Sequence, residues 1–190
     1  MERILFILGI LEDEDIDWLV SIGDRRELSA GEVLIREGEP IDAIYLILSG
    51  QFVVSLERSQ DTQIAHLYSG EVVGEMSFVD HLPPSATVSA SQPALVLSIK
   101  RATLERKLDQ DAGFAQRWYR ALATLLSARL RGTVRHLEAE YWEPTMLNKK
   151  LFSPDMADSM KLGEIRFDWL MRRLRDTDLS VSWPHQETIE

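Results

Sequence analysis

The chain has 190 residues, which is enough for one compact domain with a substantial core and a short appendage. Its formal net charge is -10, so it repels polyphosphate unless its basic side chains gather on one face. It contains no cysteine, which excludes disulfides, thiolate metal ligands and cysteine nucleophiles.

The N-terminal segment, residues 2–22, predicts helix. The acidic run at 12–15 marks the start of a second helical segment, because carboxylates there complement the positive end of the helix dipole. The apolar opening at 4–11 is far shorter than the roughly 20 residues that span a bilayer. No small-residue cleavage site follows it, so we expect a cytoplasmic protein without a membrane span.

Between residues 28 and 99 the pattern changes to short apolar runs separated by glycines, which is typical of a many-stranded antiparallel fold. Turns are predicted at Ser49–Gly50 and Tyr68–Gly70, because glycine adopts the positive φ that such turns require. The predicted strands are 33–35, 43–48, 52–56, 63–67, 87–90 and 94–99.

A long amphipathic helix is predicted from Phe114 to Tyr141. A helix of about 27 residues is roughly 40 Å long and exceeds what one small β-roll can cover, so a partner helix is expected at its far end. Its apolar residues recur every three or four positions: Phe114, Trp118, Leu122, Leu126, Leu130, Val134, Leu137 and Tyr141.

The C-terminal region predicts one more helix. Glu143–Pro144 ends the long helix, and Ser153–Pro154 matches an N-cap followed by proline at the first helical position. The last helix should run to about Arg175, with Gly163 as a candidate break and a tail at 177–190. No helix–glycine turn–basic helix pattern occurs after Glu140, which together with the net charge argues against DNA binding.

Three separated segments resemble the cyclic nucleotide-binding domain of the catabolite activator and protein kinase A regulatory subunit superfamily. They are LSAGEVLIREGEPIDAIYLILSG (28–50), VVGEMSFVDHLPPSATV (72–88) and FAQRWYRALATLLSARLRGTV (114–134). The resemblance implies an α+β fold: an antiparallel, jelly-roll-like β-roll flanked by N-terminal helices and a long C-terminal dimerisation helix. It covers about residues 1–139, the first expected domain; residues 140–190 are the second, a helical extension and tail.

The resemblance also implies a ligand site in residues 74–86, which we call the GE loop. In the family the glutamate of this loop holds the ribose 2′-hydroxyl, an arginine neutralises the cyclic phosphate, and the next two residues donate backbone hydrogen bonds to it. The arginine position falls here on Pro84, a departure from the family pattern. The implied ligand residues are Gly74, Glu75, Met76, Ser77, Pro84, Ser85 and Ala86, with base contacts from Thr124 and Ser127 on the long helix.

The loss of that arginine leaves the ligand open. A charged hydrogen bond to phosphate is worth about 1.5–3 kcal/mol, and Pro83 and Pro84 lack N–H donors as well. The site could bind cyclic AMP or cyclic GMP with weakened affinity, or bind another nucleotide or a neutral ligand, or be empty. An arginine from elsewhere, such as Arg36 or Arg58, could also supply the charge.

Other chemistry is less favoured by the sequence. The run Asp13-x-Asp15-x-Asp17 begins like a calcium loop but has Trp18 where the turn needs glycine. The four histidines share no ligand spacing, and no serine lies in a GxSxG elbow. We therefore predict no metal site and no catalytic residues.

Two functional hypotheses follow. The first is a non-enzymatic regulatory module, dimeric through residues 113–139, that senses a small ligand and relays it through 140–175 to a protein partner. The alternative is a constitutive dimeric assembly protein with a degenerate pocket. An atypical DNA-binding regulator is a lesser alternative.

Overall fold

The structure, a computed structural model, describes residues 6–56, 62–138 and 154–177. Its helices are α1 (Phe6–Ile10), α2 (Asp13–Ile22), α3 (Glu75–Asp80), α4 (Arg101–Gln110), α5 (Ala112–Glu138) and α6 (Pro154–Thr177). Its strands are β1 (Asp24–Leu28), β2 (Val33–Ile35), β3 (Ala43–Ser49), β4 (Gln51–Leu56), β5 (Thr62–Tyr68), β6 (Val72–Val73), β7 (Thr87–Ala90) and β8 (Ala94–Lys100).

The strands form two four-stranded antiparallel sheets, ordered β1-β8-β3-β6 and β2-β7-β4-β5. One apolar core lies between the sheets, because alternate residues along each strand point inward. A second core lies on the outer face of the first sheet, where other residues of β3 and β8 contact the helices. This is the predicted α+β architecture of a β-roll flanked by helices.

All six predicted strands are confirmed, and two further strands were missed. β1 has the polar sequence Asp24-Arg25-Arg26-Glu27-Leu28, of which only Leu28 is buried, so it carries no strand pattern. It is held by backbone pairing to β8. β6 has only two residues, Val72 and Val73. The helix α4, which follows β8 directly, was not predicted either.

The long helix α5 packs its inner face against the outer core, through Phe114, Trp118, Leu122 and Leu125. Its described length is 27 residues, from Ala112 to Glu138, and the rest of the predicted helix, 139–141, lies outside the described residues. The predicted boundary between domains at 139/140 also lies there and stays a prediction.

The last helix, α6, begins at the predicted Pro154 and packs on α1 and α2. Its buried residues Phe167, Leu170 and Leu174 join the outer core. The expected break at Gly163 is wrong: the helix continues through this residue, because burial against α1 and α2 stabilises it beyond the local propensity of glycine.

The acidic start of α2 makes specific contacts besides complementing the helix dipole. Asp15 is buried and receives two hydrogen bonds from Arg117 of α5, at 2.6 and 2.8 Å. Asp13 pairs with Arg166 of α6 at 2.8 Å. Asp17 pairs with Arg173 of the same helix at 3.1 Å. These carboxylates therefore tie α2 to both long helices.

Candidate functional site

The GE loop begins at a position whose backbone conformation only glycine adopts without strain. Gly74 has φ 85°, and a β-carbon there would lie 3.0 Å from the carbonyl oxygen of Ala43. This turn directs the chain from β6 into α3, so that Glu75, Ser77 and Phe78 point inward. Met76, in contrast, is exposed.

The far end of α3 is fixed by Arg101, the first residue of α4. Its guanidinium donates hydrogen bonds to the Ser77 carbonyl and, at 2.6 Å, to Nδ1 of His81. It also lies over the Phe78 ring, 5.7 Å from the centroid. Phe78 in turn meets Trp118 of α5 edge to face, with ring centroids 6.4 Å apart. The short helix is thus held against α5 by an aromatic contact.

The principal electrostatic contact of the loop is between Glu75 and Arg129 of α5. The Glu75 side chain is buried, and its Oε1 accepts a hydrogen bond from Nη1 of Arg129. The other terminal nitrogen, Nη2, donates to the carbonyl oxygen of Val72 at 2.7 Å. Glu75, the residue implied to hold the ribose, is therefore already paired with a cation of the same chain.

A second carboxylate lies beside this pair. Glu71, which immediately precedes β6, is 7% exposed, and its Oε2 lies 3.7 Å from Nη2 of Arg129. Burial raises the pKa of the Glu71 carboxyl, and the nearby Glu75 carboxylate adds to the rise, whereas Arg129 and the Tyr68 amide act in the opposite direction. One arginine is thus shared between two buried carboxylates.

The phosphate end of the GE loop carries no arginine of its own. Pro84 is half-buried, Ser85 is exposed and Ala86 is half-buried. The Pro84 carbonyl accepts a hydrogen bond of 2.8 Å from the amide of Gly38, which places the turn 36–39 beside the loop. Arg36 belongs to that turn, where its guanidinium lies 3.5 Å from Glu39. Arg58 lies outside the described residues.

The predicted base contacts lie on other faces of α5 than Arg129. Thr124 donates its hydroxyl hydrogen bond to the Arg120 carbonyl of its own helix, and Ser127 is exposed. Positions 124 and 127 are rotated by about 140° and 160° from position 129 on a helix of 3.6 residues per turn. Thr133, four residues after Arg129, shares its face, and its hydroxyl donates to the Arg129 carbonyl at 3.1 Å.

The described residues offer little for metal chemistry or membrane spanning. No group of three or more His, Asp or Glu side chains is placed to hold a metal ion among them. His66 contacts Gln51 at 3.2 Å and His81 contacts Arg101, while the side chains of His136 and His185 lie outside the described part. In the same part of the chain no helix has the length and hydropathy needed to cross a bilayer.

Comparison with known proteins decides the family. Residues 25–111, from β1 to the end of α4, match the model of the cyclic nucleotide-binding domain. These residues form a cyclic nucleotide-binding domain. The solved cyclic nucleotide-binding domain from Methylobacillus flagellatus superimposes with a TM-score of 0.66 at 26% identity, covering 75% of this chain and 85% of that one. The expected family and fold class are therefore confirmed.

Curated relatives of the chain include a regulatory subunit and an effector protein. The cAMP-dependent protein kinase regulatory subunit of Blastocladiella emersonii is 26% identical over 118 residues, which are 61% of this chain and 29% of that protein. The Pycsar effector protein XpPycTIR of Xanthomonas perforans is 25% identical over 191 residues, covering 90% of this chain and 61% of that protein. The chain spans less than two thirds of the length of each of these relatives.

The sequence predicted the GE loop of this cyclic nucleotide-binding domain but not the arginine that pairs with Glu75. The sequence alone did not single out Arg129 among the residues of the long helix. Its spacing from Trp118 and Leu122, 11 and 7 residues, places it on the inner face of α5. That spacing is the signal that could have singled it out among the arginines of the helix.

Proposed function

We propose that this is a regulatory domain that senses a cyclic mononucleotide at Glu75 and reports it through α5. The observation that carries the proposal is the ion pair between Glu75 of α3 and Arg129 of α5. The same carboxylate would hold the ribose 2′-hydroxyl of a bound nucleotide. Ligand and arginine would therefore compete for one acceptor, which couples ligand binding to the position of the helix.

The coupling works as a population shift between two poses of α5. In the described pose, Arg129 is held by Glu75 and by the Val72 carbonyl. A nucleotide that takes Glu75 removes one of these contacts and so favours a second pose. Such a shift requires that the ligand bind the two poses with different affinity, and competition for Glu75 supplies that difference.

Pro84 sets the expected affinity. Because proline supplies neither charge nor an N–H group, the phosphate loses a charge-assisted hydrogen bond worth about 1.5–3 kcal/mol. This corresponds to an affinity about ten- to over a hundred-fold below that of a loop with arginine at this position. The proposed ligands, cyclic AMP or cyclic GMP among them, are thus bound weakly through Glu75, Ser85 and Ala86, with Thr124 and Ser127 still the predicted base contacts.

The outer face of α5 supports dimerisation through residues 113–139. Tyr119, Leu130 and Val134 are 51%, 65% and 48% exposed, and together with Ala123 and Leu126 they form one stripe along the helix. The spacing of 119, 123, 126 and 130 follows the a and d positions of a heptad repeat. A second copy of the same helix would bury this stripe, as the length of the helix led us to expect.

Relay to a protein partner through 140–175 is the remaining element of the proposal. One face of α6 packs on α1 and α2, so only its outer face is open to a partner. Leu162 and Ile165, one helical turn apart, are exposed there. That the chain is not itself an enzyme, and that it is cytoplasmic, also remain predictions.

The constitutive assembly protein is a second candidate, and one observation favours it. Glu75 is paired by Arg129 without any ligand, so its burial needs no nucleotide to explain it. In this case Pro83 and Pro84 stiffen a loop that binds nothing, and the dimer through α5 is permanent.

Calorimetric titration separates the two candidates. The four 3′,5′-cyclic mononucleotides of adenine, guanine, cytosine and uracil are titrated into the wild-type protein, Glu75→Gln and Pro84→Arg, with Pro83→Arg as the control. The sensor predicts weak binding to the wild type, loss in Glu75→Gln, and a gain of about ten- to a hundred-fold in Pro84→Arg but not in Pro83→Arg. Binding to Pro84→Arg alone favours the assembly protein, and binding to none of these proteins refutes the sensor.

A further inference from the structure

Glu71 is a buried carboxylate that the proposed nucleotide contacts do not use. Its Oε1 accepts a hydrogen bond from the Tyr68 amide at 3.2 Å, which fixes the side chain across the turn that precedes β6. Its Oε2 faces the Arg129 guanidinium at 3.7 Å, beyond hydrogen-bond range. The carboxylate thus lies beside a cation that is bonded elsewhere.

We propose that Glu71 is a positioning residue, the second acceptor that receives the Arg129 guanidinium when a ligand occupies Glu75. This inference rests on the proposed function in one respect, namely that a ligand reaches Glu75. It assigns Arg129 a defined second position instead of release into solvent, and so defines the second pose of α5.

The geometry makes the transfer short. Nη2 of Arg129 has two N–H groups and donates one to the Val72 carbonyl, one residue after Glu71, so a small shift can bring the other to Glu71 while this bond is kept. Nη1 then leaves Glu75 while Nη2 approaches Oε2 of Glu71. Closing the present 3.7 Å to a charge-assisted hydrogen bond of about 2.8 Å needs a movement of about 1 Å.

The charges favour the same movement. Two buried carboxylates share one arginine, so displacing Arg129 into solvent would leave both without their cation. Transfer to Glu71 keeps one carboxylate paired with arginine while the ligand hydroxyl satisfies the other. Arg129 would then stay inside the site, and α5 would shift by a small amount rather than detach.

The transfer also links ligand binding to a proton. In the resting state burial raises the pKa of Glu71, and the groups facing it are Glu75 of α3, Arg129 of α5 and the Tyr68 amide. Bringing Arg129 closer lowers this pKa, so a protein that binds the nucleotide releases a proton between the two pKa values. Within this window affinity rises with pH, by at most about tenfold per pH unit.

A crystal structure of Glu75→Gln without ligand tests the transfer. Because the neutral amide competes poorly with a carboxylate for arginine, we expect Nη2 of Arg129 within about 3 Å of Oε2 of Glu71. A guanidinium that stays on the new amide of α3, or turns into solvent, overturns the inference. This outcome does not depend on nucleotide binding, so the inference can fail while the proposed function stands, and the reverse.

Calorimetry with the tightest-binding cyclic mononucleotide then tests the proton. Titrations in two buffers of different ionisation enthalpy, repeated from pH 5 to 8, give the number of protons released. We expect release by the wild type and by the surface control Glu39→Gln, and none by Glu71→Gln, whose amide oxygen still accepts the Tyr68 hydrogen bond. Equal release by Glu71→Gln and the wild type, or no release by the wild type, overturns the inference even if the nucleotide binds.

Discussion

Arg129 donates a hydrogen bond to Glu75, 54 positions away in the sequence, and this contact joins the long helix α5 to the GE loop. The arginine is thus paired with the carboxylate that we propose as the ribose acceptor. The loop and the helix are therefore coupled before any ligand is present.

Replacing Arg129 by methionine should destabilise the domain. Glu75 would be left buried without its cation, and breaking a buried ion pair in this way costs about 3–5 kcal/mol. Urea unfolding at neutral pH measures the loss. The control is Arg131→Met on the exposed side of the same helix, which should change stability by no more than about 0.5 kcal/mol. Equal stability of the two variants would contradict the ion pair.

Replacing Glu71 by glutamine should change the pH dependence of stability. The folded protein raises the pKa of Glu71 above the 4.5 of an ordinary glutamate, so the folded state binds the proton more tightly than the unfolded state. The contribution of Glu71 is therefore full below that value and is lost as pH rises through the folded pKa. Unfolding free energies from pH 4 to 8 should show the wild type losing stability relative to Glu71→Gln, by at most about 1.4 kcal/mol per pH unit. A constant difference across this range would refute the raised pKa.

Replacing Gly9 by alanine should weaken the docking of α6. A β-carbon at Gly9 would overlap the backbone carbonyl of Ser159, which is rigid within the helix. We expect a loss of about 1–3 kcal/mol, as for overpacked cores, in thermal or urea unfolding. Gly132→Ala is the matched control, because open space surrounds that position in α5 and the helix should gain up to about 1 kcal/mol. A neutral Gly9→Ala would mean that α6 does not pack here.

Replacing Leu130 by glutamate should abolish the dimer. Leu130 is 65% exposed and belongs to the apolar stripe, and a carboxylate there would be buried against its own copy. Sedimentation equilibrium should show a monomer for Leu130→Glu and a dimer for the wild type. The same substitution at Ile165, which is 67% exposed on α6, is the control and should leave the dimer intact. Dissociation by Ile165→Glu with a dimeric Leu130→Glu would move the interface to α6.

The sequence predicted most of the β-roll because glycines and apolar runs mark its strands directly. β1 was not predictable in this way, since four of its five residues are polar and its place depends on backbone pairing with β8. The continuation of α6 through Gly163 likewise depends on a buried face that local propensity does not contain.

The candidate site also has a part that the sequence predicts and a part that depends on packing. Glu75 and the missing arginine at position 84 follow from a short motif whose residues are close in sequence. The role of Arg129 depends on which face of α5 turns inward, and that is decided by the packing of Trp118, Leu122 and Leu125 against the outer core. Thr124 and Ser127 lie on other faces of the helix than Arg129, and as base contacts they stay predictions.

Competition between Arg129 and the ligand for Glu75 is tested most directly by the affinity of Arg129→Gln, which keeps an amide donor for Glu75 but no charge. Calorimetry should compare it with the wild type and with Arg131→Gln, using the tightest-binding cyclic mononucleotide. Because the competing cation is gone, we predict binding about tenfold tighter than that of the wild type, with Arg131→Gln unchanged. Weaker binding by Arg129→Gln would show that the arginine is a ligand contact, and would contradict the account.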